Sequence, residues 1–163
     1  MISHPDEYYF TVAEDYRYQG NYERAADAYR RSLAYNDRNA LAYFQLAETL
    51  GASGGFDGTS YSADELRQAV DAYQTAIDLG FPQAALAYKG MGWAQIALQD
   101  YENASRALNE AIESPLLREP GYVWDLANTY EGLAKAFAGQ GDDTGAAHYE
   151  ALARELALNP VTP

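Results

Sequence analysis

Acid–base, nucleophilic and metal chemistry have few residues to draw on in this chain. It has no cysteine and only two histidines, which leaves no thiol nucleophile, no disulfide and no zinc–thiolate site. His4 lies in the leading segment. His148, within Ala147-His148-Tyr149, reads as a surface helix residue rather than a general base. Carboxylates are plentiful, but their spacing follows solvent faces of helices instead of converging on one point. No Gly-x-Ser-x-Gly, dinucleotide or kinase motif occurs. The glycine-rich stretch 51–61 lacks the Gly-Lys-Ser/Thr of a phosphate loop. It also lacks the alternating acids and closing glutamate of a calcium loop. No catalytic, cofactor-binding or metal-binding residue is assigned, and the chain is expected not to be an enzyme. What remains is non-covalent recognition, which depends on how the aromatic side chains are carried.

They are carried on a repeating frame. Tyr9, Tyr43, Tyr88 and Tyr130 are each followed at +3, +4 and +7 by an apolar, a small and a further residue. The stretches are Tyr9-Val12-Ala13-Tyr16, Tyr43-Leu46-Ala47-Leu50, Tyr88-Met91-Gly92-Gln95 and Tyr130-Leu133-Ala134-Phe137. Small residues then recur at Ala25 and Ser32, Ala69 and Ala76, Ala104 and Ala111, Ala146 and Ala153. The spacing puts each tyrosine set on one helical stripe. Small side chains let two helix axes approach to about 8–10 Å. Ala13 is expected to face Ala25, with Ser32 toward the next unit.

This pattern resembles the tetratricopeptide repeat, W-x2-L-G-x2-Y…A-x3-F…P, with a period of about 34 residues. The resemblance implies an all-α fold, a right-handed α-solenoid of four antiparallel helix pairs, A and B, whose repeats share a continuous core. One domain over 1–163 is expected, with repeats near 6–38, 40–81, 85–115 and 120–159 and an insertion at 51–61. The segment Ala76-Ile77-Asp78-Leu79-Gly80 in the second repeat is similar to the related Sel1-like repeats.

Repeat 1 is the most regular, with helices at about Asp6–Tyr18 and Tyr22–Tyr35 around Gln19-Gly20-Asn21. Gly20 suits the left-handed position that ends a helix. In repeat 2 the insertion is glycine-rich and flexible, and Ser62…Glu65 reads as a capping box that restarts the helix. In repeat 4, Pro120 suits a first helical turn. The stripe Val123, Leu126, Tyr130, Leu133, Phe137 then predicts a first helix about two turns longer than its counterparts. Tyr29 and Leu33, Tyr73 and Ile77, and Leu108 and Ile112 are expected to pack on the following unit. Their counterparts Glu150 and Arg154 are spaced for an i,i+4 ion pair, the polar outer face of a terminal repeat, so no fifth repeat is expected to be missing.

Composition bounds the partners. Twenty-four acidic against eleven basic residues give a net charge of −13, which disfavours nucleic acid and anionic membrane as ligands. No apolar run is long enough to span a bilayer, and the first residues lack a signal-peptide pattern. A cytoplasmic location is the expectation. The resemblance implies a protein or peptide partner in a groove lined by the A helices. Carried onto this sequence, the groove positions are Phe10, Glu14, Arg17, Phe44, Glu48, Leu86, Lys89, Trp93, Ile96, Trp124, Glu131 and Lys135, with Glu7, Tyr18, Leu41 and Asn128 beside them. Aromatic residues of this kind are enriched at binding hot spots. The family's carboxylate-clamp positions hold Phe10, Glu14, Gln45, Leu86 and Gly90 here, and none of the clamp residues is retained. The alternatives are self-association into a homo-oligomer through the groove aromatics, burial of Phe10, Phe44 and Trp93 against the B helices, and a type III secretion-type chaperone.

Overall fold

The computed structural model describes residues 3–53 and 62–158. Among them are eight α-helices and two short 3-10 turns, with no strand. Contacts divide the chain into two compact units, Met1–Pro82 and Gln83–Pro163.

The first unit holds α1 (Pro5–Tyr18), α2 (Tyr22–Tyr35), α3 (Ala40–Ser53) and α4 (Ala63–Asp78). Pro5 opens α1, where its missing N–H costs nothing, and Asp6 and Glu7 favour the positive end of the helix dipole. The turn that closes α1 sets Gly20 at φ +74°, while the Asn21 N–H reaches back to the Tyr16 carbonyl at 2.9 Å. Asn21 then caps α2, its side-chain oxygen accepting from the Arg24 N–H. Asn39 does the same for α3, accepting from the Ala42 N–H at 3.1 Å.

The second unit holds α5 (Ala84–Ala97), α6 (Tyr101–Glu113), the 3-10 turns Pro115–Arg118 and Pro120–Tyr122, α7 (Val123–Gly139) and α8 (Asp143–Leu158). Asp100 caps α6, and Asp142 accepts from the Gly145 N–H at 2.9 Å to start α8.

In both units, helices α1 and α2, α3 and α4, α5 and α6, and α7 and α8 pack as pairs, with α2 against α3 and α6 against α7. The small residues lie where the repeat register puts them. Ala13, Ala25, Ala47, Ala69 and Ala104 are fully buried, and Gly92, Ala134 and Ala146 are buried too. Gly92 shows why the position must be small. A Cβ added there would stand 2.5 Å from Leu108 Cγ, and one on Gly132 would stand 2.9 Å from Leu108 Cδ1. Leu108 of α6 is thus held between the bare backbones of α5 and α7.

Several local expectations need correction. Ser62 stands at the N-cap of α4, but its hydroxyl makes no capping bond. The first helix of repeat 4 has 17 residues against 14 in α1, α3 and α5, so it is less than one turn longer. Pro120 opens a separate 3-10 turn, because the residue before it, Glu119, is held extended at φ −74°, ψ 145°. Glu150 and Arg154 form no ion pair. Ser32 donates at 2.8 Å to the Asp6 carbonyl, on the first helix of its own pair. Tyr29 and Tyr73 likewise turn back onto their own first helices. Of the insertion, 51–53 belong to α3, and the expected flexibility of 54–61 lies outside the described residues.

Candidate functional site

In the first unit, α1 and α3 carry the same arrangement twice. Phe10 is half-buried, edge-on to Tyr29 at 5.6 Å, and the Tyr29 hydroxyl donates to Glu14 Oε1. Phe44 is edge-on to Tyr73 at 6.0 Å, and the Tyr73 hydroxyl donates to Glu48 Oε1 at 2.5 Å. Phe44 also stacks on Phe81 at 4.5 Å. Each phenylalanine and glutamate are four residues apart, one helical turn, so both face the tyrosine of the second helix. The other Glu14 oxygen accepts from Arg17 at 2.9 Å, which leaves the buried Arg17 Nε without a partner.

These contacts set the electrostatics. Burial, then the neighbouring Glu14, pushes the Tyr29 phenol well above its ordinary value. Burial, then the charge of Glu48, does the same to Tyr73. Arg17 is raised by its hydrogen bond to Glu14. Both phenols find their carboxylate inside the protein, so this face offers an external ligand ring edges and carboxylates already engaged by Tyr29 and Tyr73. The pairing was present in the sequence as Tyr four places after the second-helix alanine and Glu one place after the first-helix alanine, in repeats 1 and 2 alone.

In the second unit the same register positions hold different chemistry. Lys89 Nζ of α5 pairs with Asp125 Oδ1 of α7 at 2.5 Å, with both side chains largely buried. Trp93 is half-buried, its ring near Gly132, and its buried Nε1 has no hydrogen-bond partner. Leu86 packs on a core of Ala85, Ala111 and Leu117, and Ile96 is half-buried. Trp124, at the start of α7, is 78% exposed. Glu131 and Lys135 are also exposed, and with Glu150 and Arg154 they rim an open recess floored by Ala134, Ala138, Ala153 and Ala157. Lys89 is therefore engaged, while Lys135 and Trp124 are available to solvent. Of the flanking positions, Glu7, Tyr18 and Leu41 are exposed and Asn128 is half-buried.

His148 sits exposed on α8 with its ring edge-on to Tyr149 at 5.1 Å. Among the described residues no three His, Asp or Glu side chains gather closely enough to hold a metal ion. None of the described helices is long and apolar enough to cross a membrane.

Sequence models of the tetratricopeptide repeat match residues 6–39 and 61–118, which together make up more than half of the chain. The chain belongs to the tetratricopeptide-repeat family. Its fold is that of an all-α solenoid of helix pairs, and solved structures agree. The chain is similar to MamA, with 22% identity and a TM-score of 0.75 over 94% of this chain and 79% of that one. It is similar to BtubC from P. vanneervenii, with 19% identity and a TM-score of 0.77 over 97% of this chain and 66% of that one. PilF of Pseudomonas aeruginosa follows at 21% identity and 0.70, over 95% of this chain and 62% of that one. This chain thus spans just under two thirds of the latter two. No curated protein matches it. Tetratricopeptide repeats are protein-interaction scaffolds.

Proposed function

We infer that this chain is a non-catalytic binding module whose first helices hold a segment of a partner protein. Trp124 carries the reading. A tryptophan left 78% exposed on a folded helix keeps its apolar surface in water until a partner covers it, and that covering is favourable. Asn128, Glu131 and Lys135 follow it at helical spacing on α7, so an apolar anchor is flanked by charges that fix direction. In the first unit Phe10, Glu14, Arg17, Phe44 and Glu48 form a second such face. There, ring edges supply contact area, and carboxylates already oriented by Tyr29 and Tyr73 supply polarity.

The test uses a partner recovered from the source organism on the immobilised chain and then titrated in purified form. Trp124→Ala is expected to leave the melting temperature nearly unchanged and weaken binding by about 2 kcal/mol, roughly thirtyfold. Trp93→Ala is expected to cost stability instead, about 2–4 kcal/mol, because its ring packs beside Gly132. Full affinity in the Trp124 variant would remove α7 from the binding surface.

A further inference from the structure

The outer edge of the α1–α2 pair carries a feature that the repeat fold does not require and that lies apart from the faces just described. Tyr9 and Tyr16 stand seven residues apart on α1, and Arg24 and Arg31 stand seven apart on α2. Because the helices run in opposite directions, the two sets meet crosswise. The Arg31 guanidinium lies over the Tyr9 ring and that of Arg24 over the Tyr16 ring, each 5.8 Å from the ring centre. Tyr35 stacks on Tyr9 with the ring planes 6° apart, and Tyr8 meets Tyr9 edge-on at 5.3 Å.

Two observations set this edge apart. First, the arginines are specific to repeat 1. The positions of Arg24 hold Gln68, Asn103 and Gly145 in the other repeats, and those of Arg31 hold Thr75, Glu110 and Leu152. The seventh stripe position is buried as Leu50 and Gln95 in repeats 2 and 3, whereas Tyr16 is half-exposed beneath Arg24. Second, neither guanidinium is matched by a carboxylate. Arg17 is paired with Glu14 and Arg30 with Asp27, but Arg24 and Arg31 have tyrosine rings for neighbours and make no ion pair. An arginine resting on a ring keeps the N–H donors of its fork free at the edge, poised for bidentate contact with a carboxylate. Tyr35 and Tyr8 beside them are 62% and 49% exposed, and tyrosine and arginine are, with tryptophan, the residue types enriched at interface hot spots.

We propose that this edge is a docking surface for an acidic helix of a partner protein, distinct from the faces of the first helices. The chain is acidic overall, yet residues 17–38 hold five of its eleven cations against three acids, Glu23, Asp27 and Asp37; Arg17 and Arg30 are paired, and the two on this edge, Arg24 and Arg31, are not. The nearest acids in sequence on α2 are Glu23 and Asp27, and Asp27 is held by Arg30. Arg24 and Arg31 are about 10.5 Å apart along the helix axis. A partner helix lying along α2 with two carboxylates seven residues apart therefore meets both forks, with its apolar side on Tyr35 and Tyr8.

A fluorescein-labelled, alanine-based helical peptide with glutamates seven residues apart and leucines on the adjoining stripe is the probe. A second peptide with glutamine at both positions is its control, and fluorescence anisotropy is the readout. The glutamate peptide is expected to saturate the wild-type chain and to bind at least tenfold more tightly than the glutamine peptide. It should weaken as salt is raised, and should bind at least tenfold more weakly to Arg24→Gln/Arg31→Gln. Arg31→Lys, which keeps the charge but not the planar fork, is expected to lose affinity as well. Equal binding of the two peptides to the wild-type chain, a measurement independent of any variant's folding, overturns the proposal. So does unchanged binding by the double variant. A single-stranded oligonucleotide that displaces the glutamate peptide at lower concentration than unlabelled peptide assigns the edge to nucleic acid. A concentration-dependent dimer abolished in the double variant assigns it to a second copy of the chain; both outcomes also overturn the proposal.

Discussion

Tyr29 and Tyr73 each deliver a phenolic proton to a glutamate on the neighbouring helix, and that proton has to stay on for the bond to exist. Burial first, and the adjacent carboxylate second, raise both phenols above the ordinary tyrosine value. In the unfolded chain tyrosine ionises near pH 10. Above that pH the unfolded chain has released a proton that the native chain still holds, so folding loses stability as pH climbs from about 10 toward the raised native value. Below about pH 9 both states keep the proton and the contribution is full and constant. Urea midpoints are thus expected to fall steeply on the alkaline side in the wild type and more gently in Tyr29→Phe/Tyr73→Phe. Tyr149, also raised by burial, accounts for a residual slope. At neutral pH each substitution is expected to cost about 1 kcal/mol for the lost bond. An equally steep alkaline fall in the double variant would locate the effect elsewhere. These bonds were not legible in the sequence as bonds. Phe10, Glu14, Phe44 and Glu48 were identified by position, but which of them a partner residue inside the fold would claim depends on where Tyr29 and Tyr73 point.

Four helix ends close with one kind of turn. After α1, α4, α5 and α7 a residue with positive φ precedes an N–H that reaches back to a carbonyl five residues earlier, at Asn21, Phe81, Asp100 and Asp142. Three of the four positive-φ residues are Gly20, Gly80 and Gly141; the fourth is Gln99 at φ +61°. A side chain in that conformation is strained by about 1–2 kcal/mol, part of which glycine returns in its greater unfolded-state freedom. Gln99→Gly is therefore expected to stabilise the chain by up to about 1 kcal/mol, read as a higher denaturation midpoint. A lower midpoint would mean that contacts of the Gln99 side chain outweigh the strain. At this scale the sequence was a good guide. The bounds of α2 at Tyr22 and Tyr35 follow from the turn residues on either side, Gln19-Gly20-Asn21 and Asn36-Asp37, and the burial of the small crossing positions follows from their recurrence and size. What misled were signals with more than one structural outcome. A serine at an N-cap forms its bond only in a suitable rotamer, as Ser62 shows. A proline permits a first helical turn and equally a 3-10 turn, as Pro120 shows.

For the molecule as a whole, contacts gather within Met1–Pro82 and within Gln83–Pro163. Leu108, clasped by Gly92 and Gly132, is the side chain on which α5, α6 and α7 converge. Leu108→Ala is expected to cost about 2–5 kcal/mol. Hydrogen exchange followed by mass spectrometry should show the loss across 84–139 while amides of α1 and α2 keep their protection, as expected where repeats couple mainly to their neighbours. Uniform loss of protection along the chain would show a single cooperative block instead. The same division has a bearing on synthesis. Every packing partner that defines the first unit is encoded before residue 83, and each helix meets its partner within a short stretch of chain. The first half can thus begin to pack on itself as it emerges from the ribosome, while the second is still being translated. Phe10 and Tyr29, and Phe44 with Tyr73 and Phe81, can then pack on one another before further apolar chain emerges beside them, which shortens the interval in which a nascent chain is open to aggregation.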